Sequence, residues 1–190
     1  MEHVPTPSQT VGPFLHLGLT DKCSRTRIAA ESVSGERAHL KCRVLDADSV
    51  PVSDAMIEIW QADAEGKYNH PDDPNGTGAD AAFHGFGRAA TDENGACEFE
   101  TIKPGPIPGN SDAMQAPHLN VAVYARGILL HLYTRIYFAG ENSNDQDPVL
   151  ALVPKERRAT LMAQPDVDHS GMWTFDIRLR GEHETVFFDI

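Results

Sequence analysis

From residue 39 onward the chain is built of short runs in which apolar and polar residues alternate with a period of two. That period puts every second side chain on one face of an extended strand, so it points to half-buried β-strands rather than amphipathic helices. Leu40, Cys42 and Val44 alternate with polar neighbours, and Ala55–Trp60 forms a second extended run. Gly87–Thr91 is a third, followed by Asp92-Glu93-Asn94-Gly95, a hairpin signal because Asn-Gly accepts positive φ. Cys97, Phe99 and Thr101 then share a face until Pro104, Pro106 and Pro108 end the strand. Leu119, Val121 and Val123 share the next face. Leu130, Leu132, Thr134, Ile136 and Phe138 share another, and Trp173, Phe175, Ile177 and Leu179 a third. A last strand is expected over 184–190. Asp147-Pro148 reads as an N-cap with proline at the first helical position, opening a short helix within 148–163 that Pro154 interrupts.

Many short strands, frequent turns and little helix predict an all-β chain, a β-sandwich or barrel. At 190 residues it is one domain, with no internal repeat and no low-complexity tract. Residues 38–190 carry the sandwich, and 1–37 form an N-terminal arm and loop. Residues 21–37 are polar and without periodicity, and 70–82 form a long Pro/Gly/Asp-rich loop. The arm holds Val11, Phe14, Leu15, Leu17 and Leu19. That is more apolar surface than a free tail needs, so it is expected to pack against something.

A net charge of -12 disfavours nucleic acid and anionic membranes. No apolar run is long enough to span a bilayer, and without a basic start followed by an apolar stretch no secretory signal is expected. Cys23, Cys42 and Cys97 match no disulfide framework or zinc spacing; Cys42 and Cys97 sit in apolar patterns as small core residues. The expected compartment is the reducing cytoplasm.

Four segments carry candidate chemistry: Pro7–Phe14 (PSQTVGPF), Ile57–Tyr68 (IEIWQADAEGKY), Thr91–Pro106 with its TDENG turn and FETIKPGP end, and Ala116–Asn120 (APHLN). Each alone could merely mark a packed strand and its turn. Together and in this order they resemble the intradiol ring-cleaving dioxygenase family, whose members share E-x-W-Q-A-x-A-x-G-x-Y, T-D-x-x-G-x-[YF]-x-F-x-T-[IV]-K-P-G and P-x-H-I-H. The resemblance covers nearly the whole chain apart from 21–37 and 70–82.

The resemblance implies a β-sandwich of the intradiol dioxygenase or transthyretin-like type. It also implies a non-haem Fe3+ site and cleavage of a catechol ring by O2 between its two hydroxyls, within the β-ketoadipate route of aromatic degradation. Two tyrosines and two histidines hold the iron in the family. Here the first tyrosine falls on Tyr68 and the first histidine on His118. The second tyrosine falls on Ile107 and the second histidine on Asn120. The family's arginine before P-x-H-I-H falls on Gln115. An apolar side chain and an amide replace two donors, so no metal and no catalytic residue are expected in this chain alone.

Some members of the family pair such a non-iron α chain with a homologous iron-binding β chain in a higher-order α/β oligomer. The opening T-P-S-Q-T-x-G-P, the A-R-G-I segment and the G-E-x-E-T-V-F-F-D ending place this chain with those α chains. Thr10, Gly12, Pro13 and Arg126 would then line the partner's substrate pocket, Arg126 pairing with a ring carboxylate. Alternative readings are a catalytically idle transthyretin-like binding or structural module, and a self-sufficient homo-oligomer whose iron site uses Tyr133 or Tyr137 with His131.

Overall fold

A computed structural model describes residues 12, 15–73, 80, 82–109 and 113–189. Ten strands account for most of the regular structure: β1 (Arg37–Leu45), β2 (Met56–Trp60), β3 (Phe86–Ala90), β4 (Ala96–Ile102), β5 (Ile107–Pro108), β6 (Met114–Gln115), β7 (His118–Tyr124), β8 (Leu132–Phe138), β9 (Met162–Pro165) and β10 (Met172–Arg178). Eight of them form one sheet in the order β3-β2-β7-β8-β9-β10-β1-β4, and β5 pairs with β6 alone. Helical structure among the described residues is confined to short segments of at most seven residues at Leu15–Thr20, Asn142–Gln146, Leu150–Leu152 and Lys155–Leu161.

The sheet is folded over at β9. This four-residue strand runs parallel to β8 through Tyr137↔Met162 and antiparallel to β10 through Trp173↔Pro165. The inner faces of the two halves meet. Ile57, Ile59, Leu119, Val121, Val123 and Ile136 pack with Leu40, Cys42, Val44, Phe99, Phe175 and Ile177 in one cluster. Each fully buried aliphatic side chain of this kind contributes about 1.5–3 kcal/mol. The expected all-β sandwich is thus present, and the period-two faces read from the sequence are the ones that point inward. Leu130 is an exception. Gly127 at φ 82° opens a turn, β8 begins only at Leu132, and Leu130 is exposed.

Residues 25–30, which carry no sequence periodicity, close the remaining gap. Arg25 exchanges both backbone hydrogen bonds with Arg88 of β3. On the other side Ile28 N–H donates to Glu100 O at 2.9 Å, and Glu100 N–H donates to Thr26 O at 2.8 Å. Both edge strands are therefore covered, which removes the unpaired edges of the folded sheet. Ile28 is fully buried between them.

The turn at 92–95 forms as expected. Gly95 has φ 69°, and Asp92 Oδ1 accepts the N–H groups of Asn94 and Ala96 at 2.8 Å each. Asp147 caps the chain ahead of the turn at Leu150–Leu152, accepting Val149 N–H at 2.9 Å and Leu150 N–H at 2.7 Å. Pro154 separates that turn from Lys155–Leu161. The last expected strand, 184–190, is reduced to one bridge, Tyr133↔Phe188. Val186 is bound instead by side chains: its carbonyl accepts from Thr134 Oγ1 at 2.7 Å, and its N–H donates to Thr160 Oγ1 at 3.3 Å. Those hydroxyl bonds replace the ladder. Cys42 and Cys97 are buried ladder partners and free thiols that form no disulfide. Among the described residues, no helix is long and apolar enough to cross a membrane.

Candidate functional site

The shared motifs turn out to be a clamp at one end of the sandwich. Gln61 follows β2 and is completely buried. Its amide donates to Ile102 O at 2.9 Å and Ala62 O at 3.0 Å, and its Oε1 accepts from Thr101 at 2.8 Å. The end of β2 is thereby tied to the end of β4. Asp63 Oδ1 then folds the next turn by accepting the N–H groups of Glu65 and Lys67, each at 2.9 Å. Gly105 N–H donates to Asp63 O at 2.8 Å, locking the KPG segment against that turn. A Cβ on Gly66 would collide with the Pro106 carbonyl, and φ there is +79°. Only glycine permits that approach. The clamp sets Tyr68 on one side and Ile107 on the other.

The structure gathers all four expected ligand positions at this end. Asn120 Nδ2 donates to Tyr68 Oη at 3.4 Å. Tyr68 stacks on Trp60 with ring centroids 5.8 Å apart. His118 lies two residues before Asn120 on the same face of β7 and packs on Tyr137 at 5.6 Å. Ile107 is the ladder partner of Gln115.

The remaining donors do not fit ferric iron. Burial pushes the Tyr68 phenol up, against the phenolate form a ligand needs. His118 Nδ1 lies 2.7 Å from Ala116 O, so that nitrogen carries the proton, and Nε2 is a buried lone pair with no partner. Burial first, then the positive charge of Arg135, lowers His118 to about 4 and holds it neutral. One unpartnered imidazole nitrogen is what remains of the donor set. Asn120 and Ile107 bring an amide and a hydrocarbon, and a guanidinium stands among them. Of the alternative set, His131 and Tyr133 do stand together, edge-on with ring centroids 4.4 Å apart, and Tyr124 stacks on the same imidazole, whereas Tyr137 stands apart and donates to Asp147 at 3.2 Å.

Arg126 stands elsewhere. It follows β7 at the end opposite His118 and Asn120, and the strand from Asn120 to Tyr124 alone spans roughly 13 Å. Its side chain is 78% exposed and ion-paired with Asp54, which precedes β2. Gly12 is exposed, and among the described residues beyond its chain neighbours no heavy atom lies within 4 Å of where its Cβ would be. Thr10 and Pro13 lie outside the described residues. Leu17 and Leu19 of the arm remain 60% and 38% exposed.

Two residues of the site were not singled out as site residues in the sequence. Arg135 donates to Gln115 Oε1 at 2.7 Å and to Tyr137 Oη at 3.3 Å. Asp147, read only as a helix cap, is fully buried and also accepts Ala116 N–H at 2.7 Å, anchoring the strand entry to His118. The signal for Arg135 was its period-two position between Tyr133 and Tyr137 on an otherwise apolar strand.

Against known proteins, residues 11–181 match the Dioxygenase family model. The chain is 42% identical to the protocatechuate 3,4-dioxygenase alpha chain of Burkholderia cepacia over 97% of both chains. It is 40% identical to the Pseudomonas putida alpha chain over 97% of this chain and 96% of that one. The Burkholderia cepacia beta chain is 35% identical over 80% of this chain and 67% of its own length. In fold it is similar to the dioxygenase domain of a dioxygenase carbohydrate-binding protein fusion from Streptomyces sp. SirexAA-E. The TM-score is 0.65 at 24% identity, covering 93% and 99% of the two chains. With the clamp, the degenerate ligand positions and these likenesses together, the chain belongs to the intradiol ring-cleaving dioxygenase family.

Proposed function

We propose that this chain is the α subunit of a protocatechuate 3,4-dioxygenase. With an iron-bearing β subunit of the same fold it opens protocatechuate with O2 to 3-carboxy-cis,cis-muconate, both oxygen atoms entering the product. The carrying observation is full-length similarity to two α chains, joined to a ligand set in which Ile107 and Asn120 replace two donors.

The iron, held by the β subunit, supplies chelation of the catechol oxygens and activation of O2. This chain supplies shape, charge and exclusion of water at the pocket mouth. Thr10, Gly12 and Pro13 line the wall, where the bare Gly12 lets backbone come close to substrate. Arg126 offers its guanidinium to the ring carboxylate. Its place beyond the far end of β7 supports this division, because from there it cannot serve the degenerate centre of its own chain. The arm ahead of Arg25 docks on the partner, and the exposed Leu17 and Leu19 support that docking, whereas residues 25–37 pack on this chain's own sheet instead of the partner as first expected. The α/β pairs build a larger oligomer. We place the assembly in the cytoplasm, where Cys42 and Cys97 stay reduced. The Cys97 thiol and burial push the Cys42 thiol up, which keeps it protonated and unreactive.

Co-expression with the cognate β chain, followed by iron analysis and oxygen uptake, tests the proposal. The expected outcome is an α/β complex with one iron per pair that consumes O2 with protocatechuate. A chain that forms no complex with the β subunit, or a β subunit fully active without it, would refute the reading.

A further inference from the structure

The four degenerate ligand positions all lead to one side chain that no ligand pattern includes. Arg135 faces Asn120 across the β7–β8 ladder, and Asn120 reaches Tyr68 at 3.4 Å. Its Nη1 donates to Gln115 Oε1 at 2.7 Å, and Gln115 is the ladder partner of Ile107. The same nitrogen lies 3.3 Å from Tyr137 Oη, and Tyr137 is the ladder partner of His118. The guanidinium therefore stands within two contacts of every position. Arginine cannot discharge by losing a proton, so this cation is permanent.

We infer that Arg135 is a built-in cation occupying the place of the metal charge, and that it closes this centre to metal independently of the two lost donors. A half-buried guanidinium repels a second cation in the same low-dielectric pocket. It also occupies the Gln115 and Tyr137 oxygens that border the centre. The family resemblance identifies Gln115 as an arginine position, and here a guanidinium reaches the Gln115 side chain from β8 instead. The centre has thus exchanged an external cation for an internal one, which gives its tyrosine hydroxyls and amides a charge partner without iron. This assignment stands on the ligand positions given by family membership and needs no β subunit.

The test uses the full chain by itself, with Co2+ as a redox-silent probe and ferric iron read by tyrosinate charge-transfer colour. Ile107→Tyr with Asn120→His restores the donor types. Combined with the native Arg135, that variant is expected to stay colourless and to bind Co2+ no better than about 1 mM. Adding Arg135→Gln is expected to tighten Co2+ binding by roughly tenfold or more and to develop colour with ferric iron. Adding Arg135→Lys, which keeps the charge, is expected to leave binding as weak as with arginine. Near-UV circular dichroism establishes that each variant folds, and Arg135→Met serves as the neutral variant if the glutamine form does not. Equal Co2+ affinity with and without the charge, or no binding in any variant, overturns the inference. A failed co-expression assay would sink the α-subunit reading and leave these outcomes untouched.

Discussion

Asn120 donates its side-chain amide to the hydroxyl of Tyr68 at 3.4 Å, so two positions that the family uses for metal donors are here bound to each other. The contact is long and both residues are half-buried. Tyr68→Phe is therefore expected to cost at most about 1 kcal/mol in a urea melt. In the co-expressed complex, iron per α/β pair and turnover should be unchanged. Loss of iron on this substitution would mean that Tyr68 still serves a metal.

His118 gives the fold a pH dependence of defined sign. Its folded value is about 4, against about 6.5 in the unfolded chain. Between those values the unfolded chain takes up a proton that the folded chain refuses. Stability from this group is full above about 6.5 and falls as pH drops towards about 4, by about 3 kcal/mol in all. Burial and Arg135 oppose the charged form, and the Ala116 carbonyl and Asp147 favour it only weakly in comparison. Denaturant melts of wild type and His118→Gln at pH 7 and pH 4.5 isolate the effect from the titrating carboxylates. The wild type should lose more stability than the variant over that interval.

Thr101 should matter more than its small size suggests. Its hydroxyl satisfies the Oε1 of Gln61, and both residues are buried. Thr101→Val keeps the shape and strands that oxygen, at an expected cost of about 1–3 kcal/mol. Thr101→Ser should recover most of the hydrogen bond. Thermal melts in which the valine and serine variants fall together would mean that packing, not the hydroxyl, holds the clamp.

Arg126→Ala in the α/β complex is expected to weaken capture of protocatechuate more than capture of unsubstituted catechol. A partly solvated charge pair of about 1–3 kcal/mol corresponds to roughly a 5- to 150-fold loss in kcat/KM. Iron content should not change. Equal losses for both substrates would mean that Arg126 and its partner Asp54 only hold the interface together.

Deleting residues 1–20 is expected to abolish co-purification with the β subunit. Leu17 and Leu19 are exposed in this chain, and a permanent α/β contact should bury more than about 2,000 Å² in total. Gel filtration of the truncated pair reads the outcome directly. An intact, active complex lacking these residues would dismiss the arm as a docking element.

Period-two alternation was enough to foretell an all-β chain, because burying one face of a strand requires it at every second position. The hairpin at Asn94-Gly95 and the cap at Asp147 were equally legible, since both depend on neighbours within four residues. The motif residues announced the family, and the replacement of donors at Ile107 and Asn120 could be read directly. Other features depended on contacts between distant segments. Residues 25–30 carry no alternation because they cover two edges rather than one face, so their role emerges only when β3 and β4 come together. The tail after Arg178 has strand-like composition, yet Thr134 and Thr160 bind it in place of a ladder. Arg135 is the sharpest case. Its meaning lies in ladder register with Asn120 and in a reach to Gln115, twenty residues away. Pattern in a sequence fixes which side of a strand a residue faces, but the field at a site is set by which strands lie beside it, and only the tertiary fold decides that.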